Sequence, residues 1–143
     1  MIQEAPASIG GSSSHSPWTT FENSMPSREY NLDRDKILGR KNPMTAGVAN
    51  STYAGNIPFS DSRLSPIYAD LTGLPPMLIQ VGGYEIFLDE GIELLKKAAA
   101  DDIDVTLTVY PFMSHDFAII VPELDESVKS FAEIKSFVNS RMN

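Results

Sequence analysis

Glu85 and His115 are the residues of this 143-residue chain whose types and placement could do chemistry. A carboxylate that accepts a hydrogen bond from one imidazole nitrogen fixes the ring's tautomer. It leaves the other nitrogen free to act as a base. An acid and a histidine held this way are two members of a nucleophile–histidine–acid triad. Taken singly, each has a plainer reading. A Glu in a turn is usually a surface acid, and a His flanked by Phe112, Met113 and Phe117 is more often packed than catalytic. Asp89 is the alternative acid, although Asp89 and Glu90 read first as acids favoured by the dipole of a helix N-terminus. The other histidine, His15, lies in the Ser/Gly-rich stretch from Ala7 to Ser16 and reads as a solvated loop residue.

The joint placement of Glu85 and His115 depends on the elements around them. Met77 to Val81 is a short, nearly all-apolar run closed by Gly82-Gly83, as expected of a strand buried on both faces. Leu88, Ile92, Leu95 and Ala99 recur at helical spacing and predict one buried stripe. Asp101-Asp102 suit the helix dipole badly and are expected beyond its end. Val105, Leu107 and Val109 alternate with Thr106, Thr108 and Tyr110, which is strand period. Strand, helix, strand predicts a right-handed crossover between parallel strands, and α/β sheets do their chemistry at the carboxyl edge of such strands. Glu85 follows the first strand and His115 the second, so both are expected at that edge. Gly82-Gly83 allows a sharp turn and a close backbone approach there.

The same stretch resembles the C-terminal part of the hormone-sensitive-lipase-like α/β-hydrolases. The resemblance rests on Gly73-Leu74-Pro75-Pro76, the glycine-ended strand, Glu85 followed by Asp89-Glu90-Gly91, and Tyr110-Pro111 with His115 and Phe117. Ser65-Pro66-Ile67-Tyr68-Ala69-Asp70-Leu71 extends it upstream, and Ser16-Pro17-Trp18 extends it more weakly. It implies a Ser–acid–His order with Glu85 as acid and His115 as base, a carboxylic ester as substrate, and a strand ending just before Ser16. Two positions depart from the pattern: the family more often has Asp where Glu85 stands and Gly where Phe112 stands. No Gly-x-Ser-x-Gly occurs in these residues, the nearest approach being Gly10-Gly11-Ser12-Ser13-Ser14, and the His-Gly-Gly oxyanion segment is missing. The resemblance therefore implies the acid and base of an esterase without its nucleophile, and an inactive chain when alone. The other expectation is a non-catalytic binding or interaction chain of the same descent. A complete hydrolase sheet has more strands, so an unpaired edge and self-association are expected.

The fold class is thus α/β, the C-terminal portion of an α/β-hydrolase fold. Residues 1–64 are expected to be a loop-rich cap or connecting segment and residues 65–143 a βαβα unit. Within the first segment, Asp33 to Leu38 predicts a helical turn or two, and Asn42-Pro43 to Tyr53 a short helix with Pro43 at its first position. Ser65 to Leu71 reads as an extended approach segment, and Trp18 as a packing anchor. Pro122 to Asn139 predicts a last helix with Val128, Phe131, Ile134 and Val138 as its buried stripe.

Composition narrows the function classes. A net charge of −8 argues against nucleic acid and anionic membrane surfaces. There is no apolar run long enough to span a bilayer, and Met1 to Pro6 has neither the basic flank nor the apolar core of a signal peptide. With no Cys there is no thiol chemistry, and two His residues leave little for a metal. These features predict a cytoplasmic chain with no cofactor and no metal.

Overall fold

The structure, a computed structural model, describes residues 10–42 and 52–141. Its frame is a three-stranded parallel sheet in the order β1 (Ser12–His15), β2 (Met77–Gly82), β3 (Val105–Tyr110). Ser12 pairs with Met77 and Met77 with Val105, so all three strands run in register to one carboxyl edge. β2 is central. Leu78, Ile79, Gln80 and Val81 are each at most 1% exposed, as the near-continuous apolar run predicted.

Helix α2 (Leu88–Ala100) makes the crossover and covers one face of the sheet. Ile79 and Val81 of β2 join Leu71, Leu94, Ala98 and Ile103 in the main core, with Met77, Val105 and Leu107 packed against it. The buried line on α2 is Glu90, Gly91, Leu94 and Ala98, one position off the predicted stripe of Leu88, Ile92, Leu95 and Ala99. Gly91 sets this rotation. A Cβ there would stand 2.5 Å from Val81 Cγ1, so the helix backbone itself sits on the strand.

The opposite face carries Gln80, Thr108 and Tyr110, and on it lies helix α4 (Asp125–Arg141). Here most of the predicted stripe is turned outward: Val128 is 59% exposed, Phe131 47% and Val138 38%, while Ile134 is half-buried. The residues buried are Ser127 and Ser130. The cause is the polar character of this sheet face. Gln80 Nε2 donates to Glu133 Oε2 (2.6 Å) and Ser130 Oγ to Gln80 Oε1 (2.7 Å), while Thr108 and Tyr110 also donate to the Glu133 carboxylate. Buried polar atoms need partners, so the helix presents its hydroxyl side. Its apolar stripe continues onto Ile119 and Ile120 of the short helix α3 (Phe117–Ile120) and onto Val121 and Leu124, all exposed.

Upstream, the chain folds back over the carboxyl edge. α1 is a single turn, Ser27–Tyr30, and Asp33 to Leu38 forms a series of turns rather than a helix. The predicted helix from Asn42 to Tyr53 falls largely outside the described residues; Thr52–Ala54 is a 3-10 turn. Pro66–Tyr68 is also a 3-10 turn, not extended, because Pro66 occupies a first helical position that suits its fixed φ. Glu90 is fully buried, beyond a dipole role. It binds the Arg28 guanidinium and accepts from the Thr19 and Thr20 amides, anchoring the segment that leaves β1. Trp18 stacks on Phe21 and Phe87 at 4.5 and 5.9 Å between ring centroids, although it remains 39% exposed. Asp101 and Asp102 lie beyond the end of α2, as expected.

Candidate active site

β2 ends at Gly82, and three residues later Glu85 is fully buried beneath the carboxyl edge. β3 ends at Tyr110, and the loop after it carries His115 back over Gly82. Gly82 makes the approach possible, since a Cβ there would stand 2.3 Å from Met113 O. The two loops are laced together by Gly83 N to Tyr110 O (2.8 Å) and Tyr84 N to Met113 O (2.9 Å). Glu85 and His115 therefore share one edge of adjacent parallel strands.

No direct hydrogen bond joins the two side chains. Glu85 Oε2 accepts from Ser16 Oγ (2.6 Å) and Gly82 N (3.0 Å), while Oε1 is buried without a partner. His115 Nε2 lies 3.2 Å from Asp116 Oδ2, while Nδ1 is buried without a partner. The buried unmatched atoms among the described residues are thus Glu85 Oε1, His115 Nδ1, His15 Nε2 and Asn31 Oδ1. Burial pushes the Glu85 carboxyl up to about 8, with the charges of Asp35 and Asp116 adding to the rise and the Ser16 and Gly82 hydrogen bonds opposing it. Burial lowers His115 below the ordinary imidazole value, against the pull of Asp116 and Asp35, and His15 lowers it further. The Phe87 ring meets the imidazole edge-on at 5.3 Å and helps to exclude water.

Asp89 stands elsewhere. Its carboxylate accepts from Ser27 N (2.7 Å) and Tyr30 OH (2.9 Å), and so holds α1. His15 is not a solvated loop residue. It closes β1, half-buried, with Nδ1 3.4 Å from Gln80 Oε1 and its ring 5.1 Å from that of Phe117. Pairing with β2 turns a Ser-rich stretch into strand. Ser12, Ser13 and Ser14 lie inside β1, in ladder pairing with β2, and none of them occupies the bend that follows the strand. Among the described residues, no group of three or more His, Cys, Asp or Glu could hold a metal ion.

Sequence reading passed over three residues of this site. Ser16 donates to Glu85 and accepts from Asp116 N (3.1 Å), at a φ of 46°. Asn31 Nδ2 donates to the carbonyls of Gly83 and Glu85. Asp35 accepts main-chain N–H groups from both active-edge loops. Only Ser16 had a signal, through Ser16-Pro17-Trp18. Positive φ also occurs at Phe112 (65°) and Asp116 (50°), so three of the four non-glycine residues with positive φ among those described lie at this edge. Such strain gathers at functional sites.

Phe112 stands where the resemblance expects glycine, and its φ is one that glycine favours. A left-handed non-glycine residue costs about 1–2 kcal/mol, while the extra chain entropy of glycine costs roughly 0.5–1 kcal/mol. The Phe112 side chain is 69% exposed, so little packing is lost on removing it. Phe112→Gly is therefore expected to leave stability unchanged or raise it by up to about 1 kcal/mol. Gly82→Ala, which drives a methyl into Met113 O, is expected to lower it by about 1–3 kcal/mol. Urea midpoints in the reverse order would contradict this account of the loop.

The chain belongs to the α/β-hydrolase fold family: the family's sequence profile matches residues 1–119. Among similar proteins is an esterase of Acinetobacter venetianus, 31% identical over 125 residues, a match covering 87% of this chain and 41% of that protein. An acetyl-hydrolase of Streptomyces hygroscopicus is 36% identical over 76 residues, covering 53% of this chain and 25% of that protein. Solved structures agree. A bacterial esterase of the hormone-sensitive lipase family superposes with a TM-score of 0.84 at 31% identity, over 94% of this chain and 44% of that one. A hormone-sensitive-lipase homologue from a metagenome library gives 0.86 at 31% identity, over 95% and 46%. The chain spans less than half the length of these relatives. Among the described residues no helix is long and apolar enough to cross a membrane.

Proposed function

We propose that this stretch supplies the acid and the base of a carboxylic ester hydrolase, with Glu85 orienting His115. A serine carried outside these residues would attack the ester carbonyl. His115 would take its proton and return it to the leaving alcohol. The observation that carries this reading is the placement of Glu85 and His115 directly after adjacent parallel strands, each with one buried atom, Oε1 and Nδ1, left unmatched. Buried polar atoms are nearly always satisfied, and these two are complementary. The relatives named as esterases and an acetyl-hydrolase support an ester as the small-molecule substrate.

A second reading, in which this chain alone is idle, is favoured by the state of the pair. A carboxyl raised to about 8 is neutral at pH 7, and a neutral acid does not stabilise an imidazolium. Asp116 also engages Nε2, the nitrogen that would have to face the serine. No serine elbow or oxyanion segment lies within these residues. Alone, the chain would turn to self-association through the free edge of β1 and the exposed apolar face of α3 and α4.

The test is reconstitution. The chain, a portion of a relative bearing Gly-x-Ser-x-Gly, and their mixture are assayed on short-chain aryl esters. Turnover is expected only in the mixture. Turnover by the chain alone that vanishes in His115→Ala would sink the idle reading and turn attention to Ser12, Ser13 and Ser14. A mixture that docks, shown by co-elution as a stoichiometric complex, yet stays silent would sink the esterase reading.

A further inference from the structure

Asp35 belongs to none of the sheet elements, yet it touches both active-edge loops at once. It is 4% exposed. Its Oδ1 accepts from Ile37 N (2.9 Å), Leu38 N (3.1 Å) and His115 N (3.4 Å), and its Oδ2 accepts from Ile86 N (3.0 Å). Two of these donors belong to its own turn. The other two are the amide of the base and the amide directly after the acid. Every partner is a main-chain N–H, so the carboxylate is held by amide dipoles alone.

We infer that Asp35 is a positioning residue for the acid–base pair, a buried carboxylate whose two oxygens fix the Glu85 and His115 loops at one spacing. The inference rests on reading Glu85 and His115 as that pair. Turn capping explains only part of the arrangement. An Asn or Ser could cap Ile37 and Leu38, but only a group with two acceptor oxygens reaches His115 N and Ile86 N together. Neighbouring contacts run in the same direction. Lys36 N donates to Ser114 Oγ (3.0 Å), and Asn31 Nδ2 donates to Glu85 O (2.9 Å). Neither of them bridges both loops.

A charge so placed also acts on the pair through space. The groups that face Glu85 are Asp35, Asp116, the Ser16 hydroxyl and Gly82 N. Those that face His115 are Asp116, Asp35 and His15. Asp35 raises both the acid and the base. Removing its charge should therefore lower both titrations, whereas a residue that only holds the fold would move neither while the fold persists.

The experiment uses the full 143-residue chain and nuclear magnetic resonance, with no need for turnover. Asp35→Asn keeps one acceptor oxygen for His115, Ile37 and Leu38, but sets an amide donor against Ile86 N. It is expected to lower the His115 ring titration and to speed amide exchange at Ile86. Asp35→Ala removes both ties. It is expected to speed exchange at His115 and Ile86 by about tenfold or more, with Leu78 and Leu107 in the sheet unchanged. If Asp35→Ala loosens the sheet amides as well, Asp35→Asn decides alone. An unmoved ring titration in Asp35→Asn, or exchange at Ile86 no faster than at Leu78 and Leu107 in that variant, would overturn the inference. Glu85→Gln separates this from the parent reading. If it leaves the His115 ring resonances unmoved above pH 8, where Glu85 of the unmodified chain is ionised, the pair itself fails, whatever Asp35 does.

Discussion

Replacing His115 by alanine in the reconstituted assembly, assayed above pH 8 where Glu85 is ionised, is expected to lower kcat by about a millionfold, and Glu85→Gln by about ten-thousandfold. The asymmetry follows from the roles. Without His115 the serine has no group to take its proton, and the leaving alcohol no group to supply one. Without the Glu85 charge the imidazole remains but is neither fixed in one tautomer nor stabilised when protonated. A ten-thousandfold loss corresponds to ~5.5 kcal/mol at ~1.36 kcal/mol per decade, a reasonable size for a buried charge acting on a developing imidazolium. Asp89→Asn serves as the contrast. Its carboxylate is committed to Ser27 N and Tyr30 OH, so a change of less than about tenfold is expected. Pre-steady-state hydrolysis of a p-nitrophenyl ester reads all three variants. If Asp89→Asn costs as much as Glu85→Gln was expected to, the acid assignment moves to Asp89. If His115→Ala keeps activity within about tenfold of the unmodified assembly, no triad operates here.

What could be read from sequence tracks how local the cause is. The β2–α2–β3 crossover was legible because an apolar run, a helical period and a strand period each reflect burial of the residues that carry them. Both helices were nonetheless misphased, and for nonlocal reasons. α2 turns to bring Gly91 against Val81, and α4 turns to bring Ser127 and Ser130 to a polar sheet face built around Gln80. A helix does not announce what its partner surface wants. β1 is the opposite case. Ser12 to His15 has no strand signature of its own, and it is strand because β2 offers it a ladder. That also explains why His15 is half-buried. The placement of Glu85 and His115 at one edge of the sheet was legible from their positions after strand ends. Ser16 and Asp35 were not, because each acts through contacts to residues far along the chain.

Glu85 should also leave a mark on stability. Its folded-state value, pushed up to about 8 chiefly by burial, stands well above the ordinary 4.5. A raised value means that the fold favours the neutral acid. The contribution is fully present below the unfolded value and is lost as pH rises through the folded one. His15 and His115 are shifted the other way, below 6.5, so their contributions grow as pH rises to about 6.5 and are then complete. The window from about pH 6.5 to about pH 8 therefore isolates the carboxyls. At ~1.36 kcal/mol per unit, Glu85 alone should cost the chain about 2 kcal/mol across it, a large share of an ordinary domain's stability. Glu90 is raised as well, against the opposing Arg28 charge, so the telling quantity is the difference between unmodified chain and Glu85→Gln. Urea unfolding at the two ends of the window is expected to show the unmodified chain losing about 2 kcal/mol more than the variant. Equal losses would mean that Glu85 is ionised at neutral pH and that its buried Oε1 has found a donor. The same titration bears on function. In the proposed roles, ionised Glu85 is the form that would draw the Nδ1 proton of His115 toward itself and turn Nε2 into a base, so the pH that weakens this fold would be the pH that arms the proposed pair.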